Sequence, residues 1–148
     1  MNLETKIQSD LIAAMKAKDE VALRGVRAIK AAILLAKTDG SGKEFDAEAE
    51  VKLLQKLVKQ RRESISIFEQ NGRAELAKTE KEEIDIIEKY LPQQLSEAEI
   101  EAIVENIIAQ TGASSMKDMG KVVGAANKHL AGRAEGATIA GVVKKLLS

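Results

Sequence analysis

Apolar side chains return every three or four positions along most of the chain, which is the period of helices packed on one face. Leu3, Ile7, Leu11 and Met15 form the first stripe. The segment Lys16–Asp19 breaks it, and Asp19 is placed to cap a second helix from about Val21 to Lys37, strongly apolar at Ile29, Ile33 and Leu34. The Gly-, Ser- and Asp-rich stretch Thr38–Asp46 reads as a loop. A long helix follows, with Val51, Leu54, Val58, Ile65 and Phe68 near heptad spacing, and Asn71-Gly72 stops it. The fourth helix carries Ala77, Ile84, Ile87 and Leu91.

Pro92 closes that run, since proline cannot continue an interior helical turn. Ser96 and Glu99 then have capping-box spacing. The helix they open presents Ile100, Ile103, Val104, Ile107 and Ile108, and Gly112 ends it. Ser114 or Ser115 is placed to cap a helix through about Leu130, and the last helix shows Ile139, Val142, Val143, Leu146 and Leu147. The pattern predicts an all-α protein. A four-helix N-terminal module, residues 1–92, precedes a small three-helix C-terminal bundle, residues 93–148. The tight Asn71-Gly72 connection predicts a long antiparallel hairpin. Arg61, lying on the apolar stripe, should then meet Glu80, Glu82 or Glu83 as a structural ion pair.

Charge changes the picture only locally. Lys+Arg and Asp+Glu both total 23, so a chain-wide polycationic grip on nucleic acid is not expected, and no DNA partner is. There is no cysteine, which excludes disulfides, zinc–thiolate sites and thiol nucleophiles. Phe45, Phe68 and Tyr90 are the whole aromatic complement, leaving almost nothing for base stacking. The first ten residues lack an apolar signal core, and no apolar run reaches membrane-spanning length. A cytoplasmic protein without membrane partners is expected.

Chemistry-bearing motifs are sparse. Gly40-Ser41-Gly42-Lys43 lacks the spacing and following Ser/Thr of a phosphate loop and reads as a loop. His129 is the one histidine and reads as a solvated or helix-end residue. No metal site, cofactor site or catalytic residue is assigned. Glu80, Glu82, Glu83, Asp85 and Glu88 read as a solvated acidic face, and Lys52, Lys56, Lys59, Arg61 and Arg62 as a basic face paired with it across the hairpin. The sharper feature is Ser115–Leu130. At about 100° per residue, Lys117, Lys121 and Lys128 share a narrow arc with Gly124, and Gly120 lies on its edge. Met119, Val122, Val123, Ala126 and Leu130 take the opposite face. Interior glycines cost a helix about 1 kcal/mol each. Here they either let a phosphate backbone approach between lysines or admit a neighbouring helix. Arg133, in the Gly132–Gly136 loop before the last helix, is a weaker anion contact, with a turn or cap as its plainer role and Glu135 working against it.

Several stretches together resemble the YqeY family. They are Val26–Ile33, Lys59–Ile65 with Phe68, Asn71–Arg73, Glu88–Ile100 and Gly112–Ala125, and they run in the family's order over nearly the whole chain. The family often has Asp-Gly where this chain has Glu135-Gly136, so an Asp-type cap on the last helix is not carried over. The resemblance implies that the C-terminal part is similar to the tail domain of GatB. GatB is a subunit of the glutamine-dependent amidotransferase that converts mischarged Asp- or Glu-tRNA to Asn- or Gln-tRNA. That tail is helical and helps hold tRNA, while the amidase and kinase chemistry belongs to other domains. A carbon–nitrogen ligase label would be inherited by that association. The expected function is a tRNA-binding accessory module, with Lys117, Lys121, Lys128 and Arg133 on phosphates and Gly120 and Gly124 at the close approach. The alternative is a protein-interaction module docking on an amidotransferase, an aminoacyl-tRNA synthetase or another copy of itself.

Overall fold

Most of the helices begin where a side-chain oxygen is available for amides that lack an intrahelical partner. A computed structural model describes residues 2–42 and 44–148. Its helices are α1 (Leu3–Ala17), α2 (Glu20–Lys37), α3 (Ala47–Gln70), α4 (Ala74–Glu88), α5 (Glu97–Thr111), α6 (Met119–His129) and α7 (Gly136–Leu147). A 3₁₀ turn, Met116–Asp118, precedes α6. No strand occurs among the described residues, and the protein is all-α. Asn2, Asp19 and Asp46 accept from the amides of Thr5, Ala22 and Ala49 at 2.8, 3.1 and 2.9 Å. At α5 the capping box is complete: the Glu99 amide donates to Ser96 Oγ at 3.2 Å, and the Ser96 amide donates to Glu99 Oε1 at 3.2 Å. Lys43 of the Gly40–Lys43 segment lies outside the described residues.

The chain divides into two compact units, residues 1–91 and 92–148. In the first, Ile7, Ile29, Leu54 and Ile87 are fully buried at the centre of the core. Gly25 lies directly against Ile86, a contact between α2 and α4 that leaves no room for a side chain. Two members of the apolar stripes are largely exposed: Met15 at 54% and Leu34 at 64%. Period alone marks a face as apolar, but how much of it is covered depends on the neighbouring helices. The fourth helix also stops earlier than Pro92 suggests. It ends at Glu88, where the hydrogen bonding tightens to three-residue turns: the amides of Lys89, Tyr90 and Leu91 donate to the carbonyls of Ile86, Ile87 and Glu88 at 3.3, 3.0 and 3.1 Å. There the Tyr90 hydroxyl donates to Asp10 Oδ2 at 2.5 Å, with Lys6 Nζ 5.6 Å from the ring centre. Burial and this bond to a carboxylate raise the phenol's pKa well above its ordinary value.

Ion pairs run along α3 and α4 in opposite chain directions, from Glu69–Lys81 at 2.8 Å to Arg61–Glu83 at 3.4 Å and Arg62–Glu88 at 3.2 Å. Arg61 meets Glu83 and, more distantly, Glu80 at 4.0 Å, two of its three anticipated partners. Glu82 turns to Arg24 of α2 at 3.6 Å. The acidic helix is therefore not the freely solvated face its sequence suggests, since Glu80, Glu82, Glu83 and Glu88 are all half-buried. The basic face is also reassigned. The arginines reach across to α4, whereas Lys52 pairs with Glu48 one turn back on its own helix, at 3.0 Å.

Burial, then the negative charge of Glu83, raise the Glu80 pKa above that of a free carboxylate, while Arg61 only partly offsets them. A raised folded-state pKa favours the fold at acid pH, and that benefit is lost as pH rises through it. Glu80→Gln should therefore stabilise the protein in urea melts at neutral pH. The gain should vanish as pH falls below the ordinary carboxylate range. A gain that persists at low pH would assign the effect to packing instead.

In the second unit Ile100, Val104, Val122, Leu130, Ile139 and Val143 are buried together, drawn from α5, α6 with its C-cap Leu130, and α7. Its first residues are fixed by one backbone and one side-chain bond to carbonyls of the loop before α7. The Leu95 amide donates to the Arg133 carbonyl at 2.9 Å, and Gln94 Nε2 donates to the Gly132 carbonyl at 2.7 Å.

Candidate nucleic-acid interface

The face in question is built by α6 and the turn before it. Val122, Ala126 and Leu130 are buried, and they fix which way the helix rolls. That roll sends Gly120, Lys121, Gly124, Asn127 and Lys128 to the exposed side. Lys117 is exposed as well, but it does not lie on the helix that the sequence suggests. Instead of one helix from Ser114 or Ser115, residues Met116–Asp118 form a 3₁₀ turn. The cause is local capping. The Ser114 amide donates to Asp118 Oδ2 at 3.0 Å, the Lys117 amide donates to Ser115 Oγ at 3.4 Å, and the Asp118 amide closes a three-residue turn on the Ser115 carbonyl at 3.0 Å. The shared-arc argument thus holds for Lys121, Gly124 and Lys128, and Lys117 joins them from the preceding turn.

The two readings of the glycines separate here. A Cβ built on Gly120 or on Gly124 would meet nothing within 4 Å among the described residues. Among the described residues of the second unit, no neighbouring helix requires them. Both also have ordinary helical backbone, since neither is among the positive-φ glycines. The glycines therefore leave bare, exposed backbone along the lysine face.

Electrostatically the second unit is divided. Four of its six carboxylates, Glu97, Glu99, Glu101 and Glu105, lie on α5, whereas all six of its Lys and Arg residues follow from Lys117 onward, with Asp118 and Glu135 among them. Of these, Lys145 pairs with Glu101 at 3.5 Å. Among the described residues Lys117, Lys121 and Lys128 have no ion pair. Three exposed ammonium groups flanking bare backbone suit the phosphates of an extended polyanion.

Arg133 is exposed, and its backbone is committed to the turn that holds Leu95. Glu135 is the N-cap of α7 but makes no side-chain cap bond. His129 is the exposed last residue of α6. Among the described residues no cluster of three His, Asp or Glu side chains could hold a metal ion.

These features define a small all-α protein whose most distinctive surface is a polar, backbone-exposing helix face. The chain belongs to the YqeY family. It matches the family described as "Yqey-like protein" over residues 4–147. It is also similar to "Altered inheritance of mitochondria protein 41, mitochondrial" from several yeasts. With the Lachancea thermotolerans protein it shares 39% identity over 70% of this chain and 57% of the relative. With that of Saccharomyces cerevisiae strain YJM789 it shares 35%, over 69% of this chain and 56% of the relative. The Vanderwaltozyma polyspora protein is 29% identical over 76% of this chain and 64% of its own. The chain thus spans about six-tenths of the length of these relatives. Their names carry a mitochondrial location, where the residues here suggested the cytoplasm. No helix among the described residues is long and apolar enough to cross a membrane.

Proposed function

We propose that the protein is a tRNA-binding accessory module, acting on the cytoplasmic tRNA pool through the α6 face of its second unit. The observation that carries this reading is the set of exposed lysines, Lys117, Lys121 and Lys128, without carboxylate partners among the described residues and beside unencumbered Gly120 and Gly124. With so few aromatics, recognition rests on RNA shape and phosphates rather than on stacked bases. Arg133 extends the contact. The module itself carries no amide-transfer chemistry in this reading, and the carbon–nitrogen ligase label comes from the enzyme whose tail its C-terminal part resembles.

The test is a salt titration of binding to total tRNA. The three lysine–phosphate contacts contribute about −2 to −3 to the slope of log K against log salt. Lys117→Ala/Lys121→Ala should reduce that contribution to about −1. Binding that is absent at low salt, or a slope untouched by the double substitution, removes the reading. The second reading, docking on an amidotransferase, a synthetase or another copy, draws on Ile67 and Leu76. These are exposed on α3 and α4 near their connection. It predicts co-purification with a protein in the absence of RNA.

A further inference from the structure

Between α1 and α2 lies a groove of about 840 Å³. Its lining includes the buried Ile7 and Ile33 together with Ile12, 46% exposed, and Leu34, 64% exposed. Apolar side chains scattered singly over a surface need no explanation, but these are contiguous in one concavity. The charged members of the lining are Arg27, Lys30 and Lys37 against the single carboxylate of Glu4. Lys37 is paired with that Glu4 and Lys30 with Gln8 Oε1 at 3.1 Å. The rim keeps a net positive charge, and Arg27 has no ion pair among the described residues.

We propose that this groove receives an amphipathic helix from a partner protein, one that carries acidic residues beside its apolar stripe. The size fits. Arg27 to Lys37 covers about three helical turns, or roughly 15 Å. The chemistry fits as well: Leu34 and Ile12 supply the apolar anchors, and the basic rim selects the flanking charge. A second copy of the chain is the poorer occupant, because a two-fold contact would set this basic rim against itself. A nucleic acid would satisfy the rim and leave the apolar floor uncovered. The site is independent of the lysines on α6.

The experiment uses the full chain and two labelled helical peptides of about 15 residues that share one leucine stripe, one flanked by Glu and the other by Lys. Fluorescence anisotropy should show the Glu-flanked peptide binding at least about tenfold tighter. Leu34→Asp should abolish that binding, and Arg27→Glu/Lys30→Glu should reverse the preference. Because Leu34 is already mostly exposed, its substitution leaves the fold intact, and an unchanged thermal melt verifies this. Failure of the Glu-flanked peptide to bind, or equal affinity for both peptides, overturns the proposal. So does a dimer in sedimentation that Leu34→Asp dissociates, which would assign the groove to a second copy.

Discussion

Gly25→Ala lowers the stability of the first unit by about 1–3 kcal/mol, the usual cost of overpacking a filled core. In an open helix the same change would stabilise by about 1 kcal/mol, so the sign is diagnostic. The cause is the approach of α2 to α4. A Cβ at Gly25 would stand 2.5 Å from both Cβ and Cγ2 of Ile86 and 3.1 Å from its Cγ1. Ile86 is 8% exposed and has little room to turn away. Its Cβ is moreover fixed to the α4 backbone, so the two helices themselves must part. Urea unfolding measures the effect as a shift in midpoint at constant slope. A double-mutant cycle with Ile86→Ala, which removes Cγ1, Cγ2 and Cδ1 but keeps Cβ, should recover part of the loss as a coupling energy. A stabilising Gly25→Ala would mean that α2 and α4 do not approach as closely as described.

Gly25 also shows where sequence reading stops. The features legible in the chain were local or reached only across a tight connection. Asp19 and Ser96 cap helices because their acceptors lie three residues from the amides they serve. Arg61 could be matched to Glu83 because the Asn71-Gly72 connection sets which residues face each other. Contacts between α2 and α4 have no such register. The pairing of Arg24 with Glu82 and the seat of Ile86 on Gly25 were therefore hidden. The one available clue was a glycine inside the strongly helical run Val21–Lys37, a residue that costs stability unless packing requires it. The same limit explains Leu34, which period counts as apolar without telling whether a neighbour covers it. At the α6 face, the lysine spacing was legible and the role of the glycines was not. Whether a helix lies over Gly120 and Gly124 is a tertiary question, and the answer is open space.

That open space makes the second large effect separable from folding. Replacing Lys117, Lys121 and Lys128 together by alanine should weaken tRNA binding by about tenfold per lysine near 50 mM salt, with the loss shrinking as salt rises. All three are exposed, so the melting curve should not move beyond the small range typical of surface changes. Gly124→Ala then asks whether bare backbone matters as well as charge. Nothing crowds a Cβ there, and the residue sits inside α6, so the variant should be stabilised by about 1 kcal/mol. If phosphates come close to the helix axis between the lysines, the same added methyl group weakens RNA binding without altering its salt slope. A protein that becomes more stable and binds less well cannot owe the loss to misfolding. If Gly124→Ala is stabilised and binds tRNA as before, the lysines alone carry the contact and the glycines have no part in it.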